Sequence, residues 1–264
     1  MSIVWLYHLL RSKLTRLGGN DPSFWFSVTR RSSNDVLFST KNTKIIYEDQ
    51  FIEFKSSLPE DYNLYGLGEH IHGLRLSNNY TATLYAADVG DPIDFNLYST
   101  HPFYLDTRYF ERDRLGKRHY VKRSTLDQKR NGQGRRNYNG STYESASHGV
   151  YLRNTHGQEV LLRSTSITWR ALGGSIDLFF FDGPTQSEVT KQYQSSAIGL
   201  PAMQNYWGLG YHQCRWGYRN WTELREIVQT FKKFEIPLGM LISIIYLGTN
   251  SIANGYARNH MGRY

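Results

Sequence analysis

Two histidines close together, His70 and His72, a single thiol at Cys214, three Asn-X-Ser/Thr triplets and one dense run of arginine and lysine are where these 264 residues offer chemistry. The histidines suggest half of a metal set, but they read as the end of a strand, and neither a metal nor a cofactor is expected. One cysteine forms no intrachain disulfide and builds no cysteine-based zinc site. As a nucleophile it would need an imidazole partner, so a small buried apolar role is expected for Cys214 instead. The triplets at Asn79 (Asn-Tyr-Thr), Asn139 (Asn-Gly-Ser) and Asn220 (Asn-Trp-Thr) are N-glycosylation acceptors. Asn139, beside Gly140 in a polar stretch, is the best placed of them.

The formal net charge is +8, and its location matters more than its size. Residues 108–136 hold eleven Lys/Arg against three Asp/Glu, and the rest of the chain holds equal numbers of both signs. Within that stretch, 111–136 reads as a solvated loop between strands. A phosphate- or nucleic-acid-binding patch is the alternative, but the segment lacks the interleaved aromatics of a single-strand binder and any helix-turn-helix pattern. No apolar run approaches the roughly 20 residues that span a bilayer, so neither nucleic acid nor membrane is expected as a partner. Aromatic residues make up 15% of the chain, which argues against disorder.

Short runs rich in Phe, Val, Ile and Thr recur from Phe24 onward: 24–30, 35–40, 44–48, 50–56, 80–85, 103–110, 149–153, 159–163, 166–172 and 175–181. Polar clusters and the turns at Asn154–Gly157 and Gly173–Gly174 separate them. That spacing implies an antiparallel sandwich or barrel. At Asp182 the period changes, and Pro184 opens a short helix with Val189 and Tyr193 on one face. Tyr206–Gln213 reads as a buried strand. Asn220 as N-cap with Glu223 three residues on starts a clear helix, in which Leu224, Ile227, Val228, Phe231 and Phe234 form an apolar stripe and which Pro237 stops. Strand, loop and amphipathic helix in that order are the first unit of a parallel α/β structure. A (β/α)8 barrel needs about 250 residues, and only 59 follow from Tyr206.

The stretches YGLGEH (65–70), LYAADVGDPIDFNLYSTHPFYLDTRY (84–109), SHGVYLRNTHGQEVLLRSTSITWRALGGSIDLFFFDGPT (147–185) and GLPAMQNYWGLGYHQCRWGYRNWTELREIVQTFKKFEIPL (199–238) resemble glycoside hydrolase family 31, the α-glucosidases, and its fungal secreted members in particular. The resemblance implies a mainly β fold: a galactose-mutarotase-like antiparallel β-sandwich over 23–181, with the basic loop 111–136 as a variable connection. A linker with a short helix follows over 182–205, and the first β/α unit of an incomplete (β/α)8 barrel over 206–238. Residues 1–22 would be an aberrant or truncated N-terminus and 239–264 a divergent tail. Residues 1–22 carry no convincing signal peptide, because their positive charges follow the apolar stretch; the secretory pathway is implied by the resemblance alone.

The resemblance also implies a reaction, the release of terminal α-linked glucose from maltose-type oligosaccharides with retention. Retention takes two carboxyl groups about 5–5.5 Å apart. In the family both are aspartates on later barrel strands, and a further aspartate follows the FEIPL motif on the second strand. Residues 239–264 contain no Asp or Glu, so no catalytic residue is assigned and the chain by itself is expected to be inactive. Two substrate-contact positions do match: Asp88, on the loop sent over the barrel mouth, and Trp216, in CRWGY. By residue type alone, Asp88 is a loop-capping carboxylate and Trp216 a core aromatic. Under the resemblance, Asp88 accepts hydrogen bonds from sugar hydroxyls and Trp216 offers an indole face to a pyranose. The alternatives are a non-catalytic carbohydrate-binding remnant and a basic nucleic-acid-binding protein.

Overall fold

The computed structural model describes residues 2–5, 10–16, 24–87, 89–90, 92–131, 143–247 and 251–257. They fall into two units, Met1–Leu200 and Pro201–Tyr264. The first begins with β1 (Ser2–Trp5), β2 (Leu10–Arg16), β3 (Phe24–Arg30), β4 (Val36–Ser39), β5 (Ile46–Glu48), β6 (Phe51–Ser57), β7 (Leu64–Gly66) and β8 (Tyr80–Leu84). It continues with β9 (Phe103–Arg112), β10 (Arg118–Val121), α1 (Arg123–Asn131), β11 (Glu144–Leu152), β12 (Gln158–Arg163), β13 (Ser166–Ala171), β14 (Asp177–Phe181) and α2 (Gln186–Tyr193).

One sheet runs β1-β14-β11-β9-β10, with β7 also on β9; a second runs β5-β6-β13-β12-β8; a third, smaller one joins β2, β3 and β4. The alternation along each strand dictates what faces inward. Gln158, Val160 and Leu162 of β12 are buried between the more exposed Glu159, Leu161 and Arg163. Trp169 of β13 is fully buried between Phe54 of β6 and Tyr104 of β9, at ring-centroid distances of 6.2 Å to each. Phe38 of β4 packs edge-on against Phe180 of β14 at 5.3 Å. One cluster therefore takes side chains from all three sheets, which is the sandwich that the strand spacing implies.

Helix α2 covers the other face of the first sheet. Thr185 caps it: its hydroxyl accepts from the Glu188 amide, and the Glu188 carboxylate accepts from the Thr185 amide. Val189 and Tyr193 pack on Phe179 and Phe181. Gly149 of β11 permits this approach, since a Cβ there would stand 2.7 Å from Val189 Cγ1 and 2.8 Å from the Phe103 ring.

Two expectations for this unit are corrected. Within residues 1–22, expected as an aberrant or truncated N-terminus, two described stretches form strands. Residues 2–5 pair in parallel with β14, and residues 10–16, which alternate apolar or small with polar types, pair antiparallel with β3. The basic segment is not simply a loop either, since its described part holds β10, which forms a hairpin with β9, and α1. Its cations meet partners brought in from elsewhere, which sequence proximity hides: Arg112 and Arg118 share Glu144, Arg118 also meets Asp35 at 2.9 Å, and Lys122 meets Glu60 at 2.7 Å. Residues 132–136 lie outside the described residues.

In the second unit a 3-10 turn over Tyr206–Leu209 precedes β15 (His212–Tyr218), α3 (Trp221–Lys233), β16 (Met240–Leu247) and β17 (Ser251–Ala257). β15 and β16 pair in parallel and β17 pairs antiparallel with β16. The strand expected at 206–213 thus starts at His212, because the Gly208 amide turns back to the Asn205 carbonyl at 2.9 Å. Asn220 caps α3 as expected, accepting from the Glu223 amide at 3.0 Å. Leu224 is buried with Tyr218 and Leu241, Ile227 and Val228 are half-buried against them, and Phe234 is exposed. Cys214, expected to be buried, is exposed. It lies on β15, an edge strand of its three-stranded sheet.

Candidate functional site

The sequence points to two places, one in each unit. In the first, the chain leaves β7 through Gly66, at φ +105°, where a Cβ would collide with the Phe103 carbonyl oxygen. It then runs beside the segment that follows β8. The Leu97 amide donates to the Glu69 carbonyl at 3.0 Å, the Glu69 amide to the Ser99 carbonyl at 3.1 Å and the Ala87 amide to the Leu97 carbonyl at 2.9 Å. The Glu69 carboxylate accepts from both the amide and the hydroxyl of Ser99 at 3.2 Å. Asn96 Nδ2 closes the turn by donating to the carbonyls of Leu97 and Ser99. These bonds hold both arms of the excursion that carries Asp88. Asp88 itself lies outside the described residues.

His70 ties the base of the excursion. Its Nδ1 is 3.0 Å from the Leu67 carbonyl and its Nε2 is 3.0 Å from the Thr83 carbonyl on β8. Burial lowers its pKa and the two carbonyls oppose that shift. Both ring nitrogens face carbonyl oxygens, and His72 Nδ1 faces the Gly73 carbonyl at 2.7 Å. A metal ligand needs a nitrogen lone pair turned to the metal, so His70 serves as a brace. Nothing in the sequence around it signals that role, because its partners are backbone atoms, three residues away at Leu67 and thirteen at Thr83.

In the second unit, Trp216 lies near the C-terminal end of β15, in register with Ile244 of β16. Its side chain lies outside the described ones. The register shifts between Trp216 and Tyr218, with Gly217 at φ +77°. A bulge of this kind re-aims side chains, and the C-terminal ends of parallel strands are where α/β sheets and barrels place their sites. Glu223 fixes the turn, accepting from the Arg219 amide at 2.7 Å and meeting Arg215 at 3.4 Å. The Asn-X-X-Glu cap pattern signals the helix start; the grip of Glu223 on Arg215 and Arg219 is what that pattern leaves out. Of the carboxylates at these two places, Glu69 and Glu223 are engaged with main-chain amides. They orient backbone and do not stand free as acid, base or nucleophile.

The three glycosylation acceptors differ in setting. Asn79 is exposed in the turn before β8. Asn220 is exposed but uses its Oδ1 to cap α3. Asn139 lies outside the described residues. No helix among those described is long and apolar enough to cross a membrane.

With that geometry in hand, comparison with known proteins is specific. Residues 14–110 match the glycosyl hydrolase 31 N-terminal galactose mutarotase-like domain, and residues 201–253 match the family 31 TIM-barrel domain. The first match starts inside the segment expected to be aberrant. The second continues into the segment expected to be a divergent tail, where β16 pairs in parallel with β15. An α-glucosidase of Aspergillus oryzae is 54% identical over 222 residues, 84% of this chain and 22% of that protein. An α-glucosidase of Schizosaccharomyces pombe is 45% identical over 221 residues, 83% of this chain and 21% of its own length. The chain thus spans about a fifth of these relatives. Among solved structures, a Flavobacterium johnsoniae family 31 dextranase in complex with glucose superposes with a TM-score of 0.62 at 21% identity, covering 89% of this chain and 24% of that one. A glucosidase II alpha subunit gives 0.60 at 19% identity, over 83% and 26%; both speak to the fold. Sandwich, βαβ unit and family matches agree: the chain belongs to glycosyl hydrolase family 31, of which it carries the N-terminal portion.

Proposed function

We propose that this chain is the substrate-framing N-terminal portion of an α-glucosidase that releases terminal α-linked glucose from maltose-type oligosaccharides with retention of configuration. The observation that carries this reading is the 54% identity to the Aspergillus oryzae α-glucosidase over 84% of the chain. In this role the sandwich supplies the loop with Asp88, whose carboxylate accepts hydrogen bonds from two hydroxyls of the terminal glucose. β15 supplies Trp216, whose indole covers the apolar side of the pyranose. The braces at His70, Glu69 and Glu223 are positioning residues. The exposed acceptor Asn79 supports passage through the secretory pathway.

The chain itself is not expected to cleave. Residues 239–264 contain no Asp or Glu, and losing the attacking carboxylate removes the covalent route altogether. That same observation favours the second reading, a carbohydrate-binding module without hydrolysis. The test is a chimera in which residues 24–238 replace the corresponding segment of the Aspergillus oryzae enzyme. It should hydrolyse p-nitrophenyl α-glucoside, whereas the 264-residue chain alone should not. Asp88→Ala in the chimera removes hydrogen bonds to a charged group, about 1.5–3 kcal/mol, and should lower kcat/KM roughly 10- to 100-fold. A folded chimera that hydrolyses with or without Asp88 would contradict the assigned role.

A further inference from the structure

The outer face of the second sheet carries two neighbouring rows that the reaction does not use. The register places Thr83, Glu159, Arg170 and Glu53 side by side across β8, β12, β13 and β6. Arg170 Nε donates to Glu53 at 2.6 Å, and its Nη1 lies 3.6 Å from Glu159. Two residues along each strand, on the same face by the period of the pleat, stand Tyr85, Gly157, Leu172 and Phe51. The Leu172 amide pairs with the Gly157 carbonyl at 3.0 Å. Glycine leaves the middle of this apolar row empty. A Cβ there would be 3.2 Å from the Tyr85 ring and 3.3 Å from Leu172 Cδ1, so the flanking side chains stand directly around the gap. The result is an open groove of about 290 Å³ bounded by the apolar row and by Thr83, Glu159 and Arg170 of the polar one. Tyr85 is 67% and Leu172 63% exposed.

We propose that this groove is an accessory carbohydrate-binding site that holds a glucosyl unit of an α-glucan chain. The occupant follows from the wall chemistry. One side is aromatic and aliphatic and suits the C–H face of a pyranose ring. The other is a line of hydroxyl, carboxylate and guanidinium groups that donate to and accept from sugar hydroxyls. Arg170, the guanidinium at the groove, is already held by Glu53 and Glu159, which disfavours phosphate and nucleic acid as occupants. The groove is lined by nine residues, whereas a stable protein interface takes about 20–30 residues from each side. The choice of α-glucan rests on the α-glucosidase reading above. The site would retain a polymeric substrate on the sandwich without taking part in bond cleavage.

The test uses the purified 264-residue chain and maltoheptaose, with binding followed by saturation-transfer NMR and titration calorimetry. Tyr85→Ala should weaken binding at least tenfold, and Tyr85→Phe, which keeps the ring, should restore it. Gly157→Val, which fills the gap, should also abolish binding. Lys55→Ala, on the same face but beyond both rows, should leave binding unchanged, and circular dichroism checks that each variant is folded. Unchanged binding in folded Tyr85→Ala and Gly157→Val would overturn the groove while leaving the α-glucosidase reading intact, as would loss confined to Asp88→Ala. Failure of the chimera to hydrolyse p-nitrophenyl α-glucoside would instead overturn that reading, whatever the outcome at Tyr85.

Discussion

The two units spend similar side chains to different effect. In the sandwich, Trp169 is fully buried and Phe54 is 1% exposed. In the second unit Trp207 is 47% exposed, Phe234 63% and Tyr206 92%. The difference lies in closure and not in composition. An antiparallel sandwich closes its core when two sheets meet, and every inward residue then has a partner on the opposite sheet. A parallel βαβ unit closes only where its one helix lies on its strands, so Tyr218, Leu224 and Leu241 are buried while the ends of the helix and the 3-10 turn remain in water. Strand-rich sequence therefore becomes an autonomous core in one unit and a partial one in the other.

The largest expected effect that sharpens this contrast is at Trp169. Trp169→Ala should destabilise the sandwich by about 3–5 kcal/mol, read from urea unfolding by circular dichroism. Phe234→Ala in the second unit should change stability by less than about 0.5 kcal/mol. Equal losses would break the comparison.

Acid should act on the sandwich through His148, which is 1% exposed with Asp106 3.9 Å away. Burial, aided by Arg108 and Arg30, holds its pKa well below the ordinary 6.5. The unfolded chain takes up the proton as the pH falls through about 6.5 and the folded one does not. The stability is thus complete above that pH and is lost below it, at up to about 1.4 kcal/mol per pH unit. Burial raises the Asp106 carboxyl, against the opposing pull of Arg108, so its effect has the opposite sign at lower pH. Melting temperature against pH should bend downward below about 6.5, and His148→Gln should flatten the bend. A His148→Gln variant with the parent's slope would place the acid sensitivity elsewhere.

Caps give a smaller and more local effect. Thr185→Ala and Asn220→Ala should each cost about 1 kcal/mol. The first should show in sandwich unfolding and the second only in helical signal from α3. Smallest of all, removing the exposed Lys122–Glu60 pair with Lys122→Met should cost less than about 1 kcal/mol. A larger loss would mean that the basic segment contributes more to the sandwich than its exposed ion pairs imply.

Much of this was legible in the sequence because it is written in local periods. β3 was bounded to the residue, β6, β8, β13 and β14 to within a residue or two, and the Asn220 cap came from its own pattern. What escaped depends on contacts distant along the chain. The partners of the basic run, Asp35, Glu60 and Glu144, are revealed only when strands pair. β1 and β2 need β14 and β3 before their short apolar runs have a use. Cys214 was misplaced because an edge strand exposes residues whose type alone suggests burial. For the candidate site, a strand after the 182–205 linker could be read from chain order, although it was expected at 206–213, short of Trp216, and β15 spans His212–Tyr218. The bracing of the Asp88 excursion by His70 and Glu69 could not, since it is made with main-chain atoms. The assigned roles of Asp88 and Trp216 came from family likeness.

The most direct measurement is hydrogen exchange, followed by mass spectrometry on the 264-residue chain. Amides of β9, β11, β12 and β13 should exchange only through global unfolding, and those of β15, α3 and β16 about 100-fold faster or more, through local opening. Equal protection of the two sets would contradict the claim that the sandwich alone holds a closed core.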